Sequence, residues 1–177
     1  MNFNRFADWL AERKQPAFRL KQVKEAYFHT LASSWDEVTT FPKNLRDEAA
    51  KEFPWNELTI VQVQESPQGD TVKTLFACQD GKKIETVLMR HEDERDTVCI
   101  SSQVGCAMAC TFCATGTMGL KRNLTAEEIV EQVVQVQRWL KKHDSRVSNV
   151  VFMGMGEPMH NYDEVMRSIK VLNSEEG

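Results

Sequence analysis

Four of the chain's five cysteines lie within fifteen residues of one another, in the segment CISSQVGCAMACTFC. The last three, Cys106, Cys110 and Cys113, have the spacing C-x3-C-x2-C. Thiolates grouped in this way favour iron–sulfur clusters or zinc. A structural zinc site is closed by four ligands, whereas three thiolates on one short loop hold three irons of a cube and leave the fourth iron open to a small molecule. The spacing therefore favours a 4Fe-4S cluster with one open iron.

Other residues that could complete a four-ligand site lie outside this loop. Cys99 is seven residues before Cys106, on a predicted strand, and His143 and His160 are distant in the sequence. Structural zinc is therefore the less favoured alternative. Cys78 ends another predicted strand and is typical of a small buried core thiol.

A second segment, VVFMGMGEP at 150–158, ends a predicted strand with glycines and a carboxylate. Gly154 and Gly156 would let the backbone approach a ligand closely. Glu157 follows the carboxyl end of the strand, where βα folds place functional groups. A tight turn would explain the segment alone. Its position about forty residues after the cysteines, on the following strand, indicates a second part of the same site.

The elements that must position these residues fall into three stretches. Residues 1–55 have apolar residues at helical spacing and predict a small helical bundle. Residues 56–92 hold three β-rich runs separated by turn-like segments, which predicts an antiparallel β meander acting as a linker region. Residues 93–177 alternate strand, loop and helix twice, which predicts two βα units with parallel strands.

The predicted fold class is α/β, with a helical module and a meander followed by the first two βα units of an incomplete barrel. The helix after the cysteines is expected to begin with a capping box formed by Thr125 and Glu128. The following run, VSNVVFMG, predicts a buried parallel strand. Two βα units cannot cover a sheet, so the second strand is expected to keep an open edge.

Charge and hydropathy restrict the class of protein. The net charge of −4 argues weakly against nucleic-acid binding by the whole surface, but residues 1–30 carry six Lys or Arg residues. This basic N-terminal module could contact RNA, with a solvated helix face as the alternative. No apolar run approaches the roughly 20 residues of a membrane helix, and the charged N-terminus lacks a signal-peptide pattern. We therefore expect a cytoplasmic protein without membrane contact, whose reduced cysteines serve metal binding or catalysis.

The cysteine motif, with the aromatic Phe112 before its third cysteine, resembles that of the radical S-adenosylmethionine (SAM) superfamily. The resemblance implies that SAM binds the open iron and is split by one electron to give a 5′-deoxyadenosyl radical. It also implies that the GEP segment contacts the SAM amino group. Met155 stands where the superfamily pattern has its first glycine, so SAM binding is carried over to Gly156, Glu157 and Pro158 only.

The flanking residues narrow the resemblance. The segments CISSQVGCAMACTFCATGTMGLKRNLTAEEIVEQV and VFMGMGEPMHNYDEVM closely resemble the RlmN/Cfr family of radical-SAM RNA methyltransferases, on the RlmN side. The segment FRLKQVKEAYF (18–28) resembles the helical module with which that family engages RNA. The resemblance implies a partial TIM-like barrel and methylation of adenine C2 in 23S rRNA and tRNA. Adenine C2 is an electron-poor carbon with an unreactive C–H bond, so a radical route suits it.

The family resemblance assigns two further residues. Cys99 matches the cysteine that helps remove the C2 proton and resolves the protein–RNA link by forming a disulfide; a buried strand thiol is its alternative. Glu85 matches a glutamate assigned as proton acceptor; an exposed strand carboxylate is its alternative. In the family, a cysteine near the C-terminus carries the methyl group. No cysteine follows Cys113, so we expect a truncated, N-terminal half of such an enzyme that does not complete methylation alone.

The expected partners are RNA and an electron donor for the cluster, and a complete enzyme is expected to be a monomer. Three alternatives are open. The first is another radical-SAM activity, such as a glycyl-radical activating enzyme, which the residues around Cys99 and the N-terminal helices disfavour. The second is an RNA-binding module with a structural zinc loop and no catalysis. The third is a remnant without function.

Overall fold

A computed structural model of the protein describes residues 1–174, so the last three residues of the stretch 93–177 lie outside the described residues. The chain divides into two compact units, Met1–Glu57 with the described residues after Val171, and Leu58–Val171. The helices are α1 (Phe3–Glu12), α2 (Phe18–Lys24), α3 (Lys43–Glu52), α4 (Ala114–Thr117), α5 (Ala126–Lys141) and α6 (Tyr162–Leu172). The strands are β1 (Leu58–Glu65), β2 (Thr71–Cys78), β3 (Lys83–Arg90), β4 (Asp96–Cys99), β5 (Gln103–Val104), β6 (Arg122–Asn123) and β7 (Asn149–Val151).

The first unit is helical, as its apolar spacing predicts. Helices α1, α2 and α3 are supplemented by a π-helical turn, Glu25–His29, and a 3-10 turn, Trp35–Glu37. Asn2 caps α1, because its side-chain oxygen accepts a hydrogen bond from the backbone N–H of Arg5 at 2.9 Å. The predicted helical bundle is therefore present.

Aromatic side chains fill the core of this unit. The fully buried ring of Phe6 lies 5.4 Å from that of Trp35 and 5.1 Å from that of Phe53, measured between centroids. The indole N–H of Trp35 donates to the backbone oxygen of Phe53, and that of Trp55 to the backbone oxygen of Ala32, both at 2.8 Å. Buried indoles need such acceptors. The core therefore combines apolar burial with specific hydrogen bonds.

The second unit is built on one mixed sheet with the strand order β1-β2-β3-β4-β7. The first three strands form the predicted antiparallel meander. Strands β4 and β7 form the predicted parallel pair. Strand β3 also pairs with β4 in antiparallel orientation, with Val87 opposite Cys99. The α/β architecture is confirmed, and the pairing of β3 with β4 adds that the meander and the parallel strands are one sheet.

Helix α5 packs on one face of this sheet and begins with the predicted capping box. The hydroxyl of Thr125 accepts from the backbone N–H of Glu128 at 3.2 Å, and the Glu128 carboxylate accepts from the backbone N–H of Thr125 at 3.0 Å. Ile129 and Leu140 are fully buried. Within residues 1–174, no helix combines the length and the apolar character needed to cross a membrane.

Strand β7 is shorter and more exposed than its apolar sequence predicts. It contains only Asn149–Val151, and these residues are exposed or half-buried. Among the described residues, β7 is the last strand of the sheet, and so one of its edges lacks a neighbour there, as the two βα units led us to expect. Residues 152–157, which follow β7, form a loop.

Candidate active site

The cysteine loop leaves the sheet through a short two-stranded ribbon. Strands β5 and β6 pair in antiparallel fashion, with Gln103 opposite Asn123 and Val104 opposite Arg122. Gly105 has a φ of +74°, and a Cβ at this position would lie 2.0 Å from the backbone oxygen of Gly119. Only glycine fits this combination of left-handed backbone and close contact. The ribbon and the glycine contact therefore close the loop at its base.

Backbone contacts also fold the loop itself. The N–H of Cys113 donates to the oxygen of Cys110 at 3.1 Å, and the N–H of Gly116 donates to the oxygen of Cys113 at 3.0 Å. A Cβ on Gly116 would lie 3.0 Å from both the nitrogen and the oxygen of Cys110. The backbone N–H groups of Gly116 and Thr115 lower the pKa of the Cys113 thiol from its ordinary value. The loop thus favours the thiolate at Cys113, the form that binds metal.

The donor set fits an iron–sulfur cluster. Cys106 is a buried free thiol, and Cys110 and Cys113 are half-buried free thiols. In a cube each thiolate binds its own iron, so the sulfurs surround the cluster and do not converge on one point. Within the described part of the chain, no three His, Cys, Asp or Glu side chains are grouped to hold a single metal ion. Three thiolates on one loop are donors of the kind that iron–sulfur clusters use.

The glycines after β7 bring their backbone close to the protein itself. A Cβ on Gly154 would lie 2.7 Å from the backbone oxygen of Ile100, and a Cβ on Gly156, where φ is +99°, would lie 2.5 Å from the Cβ of Gln103. The backbone oxygen of Met155 accepts from the N–H groups of Ser102 and Gln103 at 2.9 and 3.1 Å. The sequence predicted a close approach to a ligand. Both glycines also pack against residues 100–103, and their approach to a ligand stays a prediction.

Glu157 is held at its backbone and at its side chain. Its N–H donates to the side-chain oxygen of Gln103 at 2.8 Å. Its carboxylate accepts from the N–H of Met159 at 3.1 Å and so caps the 3-10 turn Pro158–Asn161. At the end of that turn, the side chain of Asn161 donates to the backbone oxygens of Ser102 and Leu124, both at 2.8 Å. The segment 154–161, called the glycine loop below, is therefore anchored from end to end.

Cys99 lies at the end of β4, beside the start of the loop that follows β7. Only 9% of its surface is exposed. Burial raises the pKa of its thiol, and the backbone N–H of Met153, which points to the sulfur, opposes that rise. Cys99 is thus a protonated, buried thiol at neutral pH, adjacent to the backbone that leads into the glycine loop.

Glu85 shares a face of the sheet with Cys99. Thr86, the next residue on β3, donates its hydroxyl hydrogen bond to Gln132 of α5, so Glu85 and Val87 point to the opposite face. Val87 is the partner of Cys99 across the strands, which makes Glu85 and Cys99 diagonal neighbours, typically about 7–8 Å apart. The carboxylate forms an ion pair with Lys73 of β2 at 3.2 Å.

Three buried polar residues that the sequence did not single out connect these parts. The side chain of Gln132 bonds to both the N–H and the oxygen of Ser101, at 2.8 and 2.9 Å. The hydroxyl of Ser101 accepts from the N–H of Met155 at 2.9 Å. Gln103 is fully buried. Two features of the sequence could have revealed these residues. One is the polar run SSQ directly after a buried strand, and the other is a glutamine on the apolar face of α5.

Comparison with known proteins agrees with this geometry. Residues 100–176 match the Radical SAM superfamily. The chain is 47% identical over 177 residues to a probable dual-specificity RNA methyltransferase RlmN of Staphylococcus carnosus, covering 100% of this chain and 48% of that protein. A protein of the same name from Lysinibacillus sphaericus is 47% identical over 170 residues, which are 96% of this chain and 44% of that protein.

A solved structure has the same fold. The crystal structure of a radical SAM methyltransferase from Sphaerobacter thermophilus matches with a TM-score of 0.94 and 45% identity, over 100% of this chain and 52% of that chain. The chain spans about half the length of the curated relatives it matches. The resemblance drawn from the cysteine and GEP segments is thereby confirmed: the chain is similar to RNA methyltransferases named RlmN, and its residues 100–176 match the Radical SAM superfamily.

Proposed function

We propose that this chain serves the methylation of adenine C2 in 23S rRNA and tRNA, with a 4Fe-4S cluster and SAM as cofactors. One observation carries the proposal: the cysteine loop and the glycine loop are anchored on the same few residues. Gln103 and Val104 form the base of the cysteine loop, while Ile100, Ser101 and Gln103 hold the glycine loop. A cluster and the SAM bound to it need these two loops side by side.

In this proposal Cys106, Cys110 and Cys113 hold three irons, and SAM binds the fourth. Gly156, Glu157 and Pro158 hold the SAM amino group, with the Glu157 backbone fixed by Gln103. When bound, the cluster and SAM supply a radical able to remove a hydrogen atom from an unreactive C–H bond. The polypeptide binds and orients these cofactors and excludes water from them.

Cys99 and Glu85 are proposed to manage protons and the covalent link to RNA. Because burial keeps the Cys99 thiol protonated, a base must accept its proton before it can form a disulfide. Glu85 lies on the same sheet face, where its carboxylate is paired with Lys73. We propose that Glu85 leaves Lys73 to accept a proton during the reaction, and that Cys99 resolves the protein–RNA link.

The helical unit is the proposed RNA-engaging domain, over residues 1–55. Arg5, Lys14 and Lys21 are exposed cations there, and Phe18 has 54% of its surface exposed. Cations attract phosphates, and exposed aromatic rings stack on unpaired bases. The remaining expectations also belong to this proposal: an electron donor as partner, a cytoplasmic location and a monomeric state.

The proposed reaction also needs a cysteine that carries the methyl group. Residues 1–177 contain no cysteine after Cys113, and Cys78 is buried at the end of β2. We therefore expect these 177 residues to bind the cluster and SAM, and not to complete methylation without a further polypeptide. Formation of C2-methyladenosine by the reconstituted chain alone would contradict this expectation.

Anaerobic reconstitution with iron and sulfide tests the cofactor assignment. The chain should take up about four irons and turn brown, as expected for a 4Fe-4S cluster. SAM should change the electron paramagnetic resonance (EPR) spectrum of the reduced cluster. Cys106→Ala should lose iron, while Cys78→Ala, the matched control, should keep it. A colourless protein with one zinc per chain would instead support the RNA-binding module with a structural zinc loop.

A further inference from the structure

Gln103 has both ends of its side-chain amide engaged, and they engage different loops. Its oxygen accepts from the backbone N–H of Glu157 at 2.8 Å. Its NH2 group donates to the side-chain oxygen of Asn123 at 2.8 Å. Asn123 is also its partner in the ribbon at the base of the cysteine loop. One side chain therefore spans from the cysteine loop to the glycine loop.

Packing leaves this side chain little freedom. Gln103 is fully buried, and its backbone N–H donates to Met155 at 3.1 Å. Gly156 packs so closely on it that a Cβ there would lie 2.5 Å from the Cβ of Gln103. A buried amide held by two hydrogen bonds and close packing has one available conformation, because any other would leave buried polar groups unpaired.

We propose that Gln103 is a positioning residue that fixes the separation between the cysteine loop and the glycine loop. This inference rests on the proposed function for its consequence, which is that SAM can contact the open iron and the GEP residues at once. The side-chain amide of Gln103 is bonded to Asn123 and Glu157, so its role is to hold the two loops. The length of the Gln103 side chain decides whether the two loops are held at the right separation, since the side chain must reach Glu157 and Asn123 together.

Three substitutions separate length from polarity. Gln103→Leu removes both hydrogen bonds. Gln103→Asn keeps the amide but shortens it by one methylene group, so it cannot reach both partners. Gln103→Glu keeps the length. Burial favours its neutral acid form, in which one oxygen accepts from Glu157 and the O–H donates to Asn123. Gln137→Leu is the matched control: it removes a glutamine of α5 that accepts from the backbone N–H of Val147 at 2.8 Å and that lies in neither loop.

The first measurement titrates SAM into the reduced, reconstituted chain and follows the EPR change. Iron content and the spectrum without SAM should be the same in all variants. Gln103→Leu and Gln103→Asn should raise the SAM concentration for half-maximal change about tenfold, which is about 1.4 kcal/mol. Gln103→Glu and Gln137→Leu should stay within about twofold of the unaltered chain. Equal shifts for Gln103→Leu and Gln137→Leu, or no shift for Gln103→Asn, would overturn the proposal.

The second measurement needs no cofactor and therefore separates this inference from the proposed function. Amide hydrogen exchange at Glu157, followed by NMR in the metal-free chain, should accelerate in Gln103→Leu and Gln103→Asn and remain slow in Gln103→Glu and Gln137→Leu. Should the unaltered chain fail to bind iron or SAM while this pattern holds, the positioning role stands and the proposed function falls. Unchanged exchange in Gln103→Asn would reject the positioning role directly.

Discussion

The hydroxyl of Ser101 donates a 2.6 Å hydrogen bond to the backbone oxygen of Glu85. The same hydroxyl accepts from the N–H of Met155 at 2.9 Å. One oxygen atom thus connects β3, which carries the proposed proton acceptor, to the loop proposed to bind SAM. The adjacent Ser102 is also buried, but its hydroxyl has no hydrogen-bond partner among the described residues.

Ser101→Ala should lower the free energy of unfolding by about 1–3 kcal/mol, because the Glu85 oxygen and the Met155 N–H lose their partner in a buried place. Ser102→Ala is the matched control and should be neutral or slightly stabilising, since it removes a buried hydroxyl that makes no hydrogen bond. Urea denaturation followed by circular dichroism measures both. Equal losses from the two substitutions would contradict the assigned bonds.

Gly105→Ala should disrupt the cysteine loop. The new methyl group would meet the Gly119 oxygen at 2.0 Å, in addition to the strain of a φ of +74°. Gly81→Ala isolates the strain alone, because Gly81 has a φ of +78° and nothing within 4 Å of the added Cβ. The control should lose about 1–2 kcal/mol of stability and keep its iron uptake. Normal iron content in Gly105→Ala would show that the loop base is more tolerant than its packing indicates.

Arg122→Met should destabilise the start of α5. Arg122 bonds to Glu128 with two nitrogens, at 2.8 and 2.7 Å, and to Asp80 at 2.7 Å. These bonds raise the pKa of Arg122, and Arg122 lowers that of Asp80. Removing the cation leaves the largely buried Glu128 carboxylate with its capping hydrogen bond but without a positive partner, which should cost about 1–3 kcal/mol.

The loss of stability caused by Arg122→Met should depend on pH. Since the pKa of Asp80 is lowered in the folded state, its contribution is present above the ordinary value of 3.8 and is lost as the pH falls through the folded pKa. The stability difference between the unaltered chain and Arg122→Met should therefore shrink in acid. The control is Arg167→Met, which removes a more exposed arginine paired with Glu164 and Glu127 and should change stability by less than about 1 kcal/mol. If Arg167→Met lost as much stability as Arg122→Met, the loss would come from removing any positive charge and not from the buried pair with Glu128.

Cys78 should be the slowest cysteine to react with iodoacetamide in the folded, metal-free chain. Burial, followed by the charge of Glu128, raises the pKa of the Cys78 thiol to about 12. Burial also raises the pKa of Cys99. The thiolate is the reactive form, so alkylation of Cys78 should stay slow well above the ordinary value of 9.0. Peptide mass spectrometry measures each site. In denaturant all five cysteines should react at similar rates, and fast native reaction of Cys78 would contradict its burial.

The sequence predicts the elements that have strong periodicity or a specific chemical spacing. The capping box of Thr125 and Glu128, the meander and the parallel pair are all present. The ribbon of Gln103–Val104 with Arg122–Asn123 was missed, because two-residue strands have no detectable period.

Tertiary contacts explain the other differences. Gly154 and Gly156 also pack closely against residues 100–103 of the same protein, a contact that no local pattern reveals. The run VSNVVFMG is apolar enough for a longer strand. However, the chain after Val151 leaves the strand direction, and its backbone bonds instead to Ile100 and, at Met155, to Ser102. Buried polar side chains such as Gln132 form bonds to residues distant in sequence, and so their partners could not be predicted.

The hydrogen bonding of β3 to β4 determines where the chain can be recombined with a relative. A chimera joined at residue 93 would take β3 from one parent and β4 from the other, and every backbone pair from Val87–Cys99 to Arg90–Asp96 would cross the junction. A crossover between Glu57 and Leu58 would instead keep the whole sheet from a single parent. Exchange of residues 1–57 between homologues should therefore use that boundary.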